Sequence, residues 1–138
     1  MLEDAKARLQ YQHEYALAGL KTLILINGGA VIGLLTYAGN ASSKSSANTF
    51  GGSFAGYAVG LALAVIAYLG AYFSQAEFMQ YSTLEAYDLL GRKSSTKRSK
   101  ESYAKVGTIA VYLAVAFAIF SLVSFGIGSL YALTAVTR

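Results

Sequence analysis

The chain has 138 residues, of which 55% are hydrophobic and 13% charged, which leaves room for one domain and is too apolar for an ordinary soluble one. It holds no cysteine and a single histidine, His13, so disulfides, thiolate chemistry and multi-histidine or Cys/His metal sites are excluded, and no cofactor motif is present. The net charge of +4 is concentrated where membrane topology would put it, which argues for a bilayer rather than a nucleic acid as the partner.

Residues 1–16 are polar, helix-favouring and free of breakers. Acids stand among their bases, so the segment does not read as a cleavable signal peptide, which begins basic and runs into a short apolar core. Residues 17–38 are apolar apart from Lys21, Thr22, Asn27, Thr36 and Tyr37, about the length that crosses ~30 Å of hydrocarbon at 1.5 Å per residue. Residues 39–53, GNASSKSSANTFGGS, are rich in Gly, Ser and Asn without periodicity and read as a loop. A second span follows at 54–74 with no charged residue. Its helical pattern continues through 75–91, where Gly91 is the expected C-cap. Residues 92–105, bounded by Arg92 and Lys105, hold six of the eleven Lys and Arg residues and one acid; they predict a basic loop able to hold anionic lipid. The third span, 106–136, is uninterrupted by charge and longer than a crossing requires, so it tilts or projects.

The expected fold is therefore an all-α integral membrane protein. It has three transmembrane helices, the first two extending beyond the bilayer as a short stalk. With three spans, the N-terminus and the 92–105 loop share one face, which carries Lys6, Arg8, Lys21 and the six loop cations and leaves Lys44 and Arg138 opposite. The positive-inside rule makes that face cytoplasmic, with the C-terminus outside and a bacterial inner membrane as the expected location.

Helices in lipid associate through small residues and interhelical hydrogen bonds rather than through a hydrophobic drive. On the second span Gly56, Gly60, Ala64, Ala67 and Ala71 fall within an arc of roughly 80° at ~100° per residue. On the third, Gly107, Ala110, Ala114, Ala118, Ser121 and Gly128 form a similar arc. On the first, Gly29 and Gly33 make a GxxxG pair with Thr22 and Thr36 near the same face, while Asn27 lies about 160° away among leucines and a valine. Both faces of the first helix thus call for protein neighbours, which predicts self-association or a membrane partner. Opposite the small stripe of the second span stand Tyr57, Leu61, Val65, Tyr68 and Tyr72. With Asn27, Ser121 and Ser124, the deeper tyrosines Tyr68 and Tyr72 are the candidates for a polar lining.

Outside the bilayer, Glu77, Glu85 and Asp88 share one arc of the second helix, and Phe78, Tyr81, Leu84 and Tyr87 recur at three-residue spacing. This segment is expected to pack on the N-terminal extension, with Lys6 and Arg8 near the acids. Carboxylates without a pocket, a histidine partner or a metal motif do not support catalysis.

The leading expectation is a homo-oligomeric pore or channel that permeabilises the membrane. The alternative is a non-catalytic anchor or accessory subunit that recruits a protein through its cytoplasmic helices. In size and span number the chain resembles three-span phage holins, with no residue motif in common and with the opposite orientation read from charge. A transporter is disfavoured, because no charged residue lies deep in the spans and no inverted repeat is visible.

Overall fold

The computed structural model describes the backbone of residues 2–40, 47–92 and 98–136 and the side chains of 14–40, 50–92 and 98–135. Three helices, α1 (Leu2–Asn40), α2 (Ala47–Leu89) and α3 (Lys100–Val136), make up the fold, with no strand among the described residues. Each is long and apolar enough to cross a membrane. At 1.5 Å per residue they run about 58, 64 and 55 Å, well beyond the ~30 Å of a hydrocarbon core.

The element bounds differ from the sequence expectation at both connections. The expected loop at 39–53 is shorter, because α1 continues to Asn40 and α2 is already helical at Ala47. Gly51 and Gly52 are helical rather than breakers. A Cβ on Gly52 would stand 3.2 Å from the Tyr131 ring, so this glycine lets α3 come close instead of ending α2. The basic loop at 92–105 is likewise shortened, since α3 begins at Lys100. Ser99 caps it: its Oγ accepts from the Ser102 N–H at 3.3 Å, satisfying one of the orphan donors of a helix start.

The C-terminus of α2 closes as a Schellman motif. Gly91, at φ +65°, donates to the Asp88 carbonyl, and Arg92 donates to the Tyr87 carbonyl at 3.0 Å. The left-handed conformation makes Gly91 the expected terminator.

α2 and α3 pack as an antiparallel pair along most of their length; α1 lies against α2 and barely meets α3. At the end of the molecule that carries the α2–α3 connection, the extension of α2 is held by the start of α3. Arg98 reaches Glu77 at 3.3 Å, Lys100 reaches Asp88 at 2.9 Å, and the Arg98 guanidinium also lies 4.7 Å from the Tyr103 ring centroid. Phe78 lies on Gly107, where a Cβ would be 3.2 Å from its ring. Glu77 and Asp88 therefore meet cations of the α2–α3 connection, which the sequence expectation had assigned to Lys6 and Arg8. The latter side chains lie outside the described residues, as do those of residues 2–13 generally. Glu85 is exposed.

Candidate functional site

Two features distinguish this bundle from a simple apolar hairpin: a buried polar layer that joins all three helices, and a small-residue face of α1 that none of the described residues covers.

The layer is built on Asn27, Gly60 and Ser121. Asn27 and Ser121 are fully buried. The Asn27 amide Nδ2 donates to the Leu23 carbonyl at 2.9 Å and to Ser121 Oγ at 3.3 Å. Ser121 Oγ donates in turn to the Gly60 carbonyl at 2.7 Å. Gly60 is required here because a Cβ would overlap the Asn27 carboxamide. The nearest charges on α2 and α3 toward their connection, Glu77 and Lys105, lie about 25 Å away along the helix axes and Lys21 on α1 about 9 Å away, so these bonds sit within the apolar stretch of each helix. An unpaired polar group there is costly, and interhelical bonds of this kind are worth ~0.6–2 kcal/mol. The Asn27 Oδ1 atom has no hydrogen-bond partner among the described residues.

The small-residue stripes of α2 and α3 face each other. Ala64 and Ala67 are 0% exposed, Ala114 is 5% exposed, and Ala71, Ala110 and Ala118 are half-buried. Gly56 meets Gly128 backbone to backbone: a Cβ there would stand 2.8 Å from the Gly128 Cα. Gly70 sits over Ala114 less tightly, where a Cβ would stand 3.4 Å from the Ala114 methyl group. Serines extend the α2 arc at both ends, since Ser53 and Ser74 are buried and their hydroxyls lack partners among the described residues. Advancing the Gly56-to-Ala71 arc by one turn in each direction reaches both positions, a signal the sequence carried.

Tyr57 was expected opposite this stripe and is instead buried in it. Its ring lies against Gly128 and 5.5 Å from that of Phe125, and its hydroxyl donates to Ser129 Oγ at 3.1 Å. α2 is flanked by two helices, so its buried sector is wider than the glycine–alanine arc, and Tyr57 is only ~60° from Gly60. Of the other tyrosines, Tyr68 is half-buried and Tyr72 is 65% exposed on the outer surface. Ser124 is half-buried near the Gly56–Gly128 contact. Asn27 and Ser121 come together in the closed layer, whereas Tyr68, Tyr72 and Ser124 do not join it.

The α1 glycines behave differently. Gly29 and Gly33 are exposed, and a Cβ on either would meet nothing within 4 Å. Thr22 and Thr36, on the same face, donate their hydroxyl hydrogens to the Ala18 and Ile32 carbonyls of their own helix at 2.9 Å. All three helices also expose large apolar side chains that suit lipid, among them Leu25 and Ile32 beside Gly29 on α1 and Phe73, Leu69, Leu113 and Phe120 on α2 and α3.

Among the described residues no group of His, Cys, Asp and Glu is arranged to hold a metal ion. Comparison with protein-family models, with curated proteins and with solved structures finds no match.

Proposed function

We propose that this chain is a self-associating integral membrane protein whose subunits meet through the outer face of α1, and that the assembly is a homo-oligomeric pore or channel that permeabilises the membrane, of the holin-like or cell-suicide class. The carrying observation is the contrast between stripes: the Gly56-to-Ala71 stripe of α2 and the Gly107-to-Gly128 stripe of α3 turn into the subunit, while Gly29, Gly33, Thr22 and Thr36 of α1 remain outward. A second α1 finds open space at Gly29 and Gly33, with Leu25 and Ile32 at the edges of the contact, and the threonine hydrogens are already satisfied. In a ring with α1 innermost, α1 meets its copies near the axis, and Phe73, Leu69, Leu113 and Phe120 of α2 and α3 face lipid. The charge distribution supports a cytoplasmic location for the α2–α3 connection, with the loop cations available to anionic lipid.

The chain has no native cysteine, so single substitutions report directly. Thr36→Cys is expected to cross-link between copies in membranes and Leu113→Cys is not. Liposomes containing the wild type are expected to release small ions or dye, and Gly29→Leu with Gly33→Leu to abolish that release. Strict monomers in lipid, or no leak above background, would refute the proposal.

One observation favours a second reading as membrane anchor: Met79, Leu89 and Leu90 are 69%, 84% and 69% exposed on the α2 extension, beyond the charge-free stretch, where a partner protein would bury them. Replacing all three by serine would abolish recruitment but leave a pore conducting.

A further inference from the structure

α1 and α3 diverge on the side of the polar layer nearer the α2–α3 connection, and the gap between them is a groove of about 690 Å³. Its walls are Gly19 and Leu23 on α1 and Ala118, Ile119 and Leu122 on α3, with α2 contributing Ser74 at the floor. We propose that this groove binds one acyl chain of a phospholipid from the adjoining leaflet, with the lipid's ester region at the level of Ser74 and Gln75. The inference stands whether or not the assembly conducts.

Three observations fix the occupant. The volume lies within the ~300–1,000 Å³ of built ligand sites. Along α3 the groove runs from Val111 to Leu122, about 17 Å at 1.5 Å per residue, which is half of a ~30 Å hydrocarbon core and so the depth of one leaflet. Its inner end, at Leu23 and Leu122, is level with the Asn27–Ser121 bond. Its polarity is also graded: the shaft is aliphatic, and the polar residues in the wall, Ser74 and Gln75, both stand at the outer end. Ser74 is 1% exposed and its hydroxyl has no partner among the described residues, so a donor is available at the depth where a lipid's carbonyl oxygens lie. Small residues create the space. Gly19 has nothing within 4 Å of where its Cβ would be, so a larger side chain there enters the groove without a clash.

The test is photolabelling of the full-length protein in proteoliposomes made with a phosphatidylcholine bearing a diazirine on its acyl chain, with adducts mapped by mass spectrometry. Ile119 and Ala118 are expected to label about fivefold above Leu113 and Phe120, which face the opposite side of α3; that ratio corresponds to ~1 kcal/mol of preferential occupancy. Gly19→Leu, and from the other wall Ala118→Leu, should each bring the Ile119 signal down to the Leu113 level while leaving Leu113 and Phe120 unchanged. Equal labelling around α3 in the wild type would make the lipid ordinary solvent and overturn the proposal. So would an unlabelled groove together with disulfide formation between Gly19→Cys copies, which would put a second subunit there.

Discussion

Glycines that look alike in the sequence differ most at the scale of single atoms. A methyl group on Gly56 would stand 2.8 Å from the Gly128 Cα and 3.1 Å from the Ser124 carbonyl; both are backbone and cannot rotate away. Gly56→Ala is therefore expected to destabilise the subunit by ~1–3 kcal/mol, the usual cost of overpacking, measured by unfolding in bicelles. Gly33→Ala has open space and should leave subunit stability unchanged while weakening association. Both glycines belong to recognisable small-residue stripes, so their fitness for close helix contact was legible, and Gly56 makes such a contact. Which contact each serves was not, because it depends on a neighbour far away in sequence. Gly91 is the opposite case: its position after a long helix marked it as a cap, and its φ of +65° agrees. Gly91→Ala should cost about 1 kcal/mol, the penalty of a left-handed L-residue, visible as a lowered thermal midpoint.

For whole helices, hydropathy located the three apolar segments but not their ends. The start of α3 was obscured because Ser99 lies in a run of basic residues that reads as loop, although its hydroxyl caps the helix. That short misreading moved Arg98 and Lys100 out of reach of α2, and with them the partners of Glu77 and Asp88. Exposed pairs of this kind are screened by solvent, so they set the register of the extension more than its stability. α1 is the loosely held element, because it barely meets α3. Asn27 supplies its hydrogen bond to α3. Asn27→Ala should cost ~0.6–2 kcal/mol and act on α1 alone, since Ser121 retains its bond to Gly60. If the chain is expressed as two pieces divided between α1 and α2, the wild-type pieces should copurify and those carrying Asn27→Ala should separate. Copurification unchanged by the substitution would mean that apolar packing alone holds α1.

In the molecule as a whole, an interlocked α2–α3 pair carries α1 on one side, with its amide turned inward and its glycines outward. The inward amide could not be read from the sequence, where Asn27 and the GxxxG pair were two faces of one helix with unknown neighbours. With the Asn27 amide hydrogens bonded within the subunit and its side chain fully buried, the outward face that calls for a partner is that of Gly29 and Gly33. The most direct measurement is single-particle imaging of the protein in lipid nanodiscs. A closed ring of subunits is expected, with α1 innermost, an opening along the axis, and α2 and α3 at the perimeter. A single three-helix subunit surrounded by lipid, or a ring with α1 on its outer rim, would contradict it.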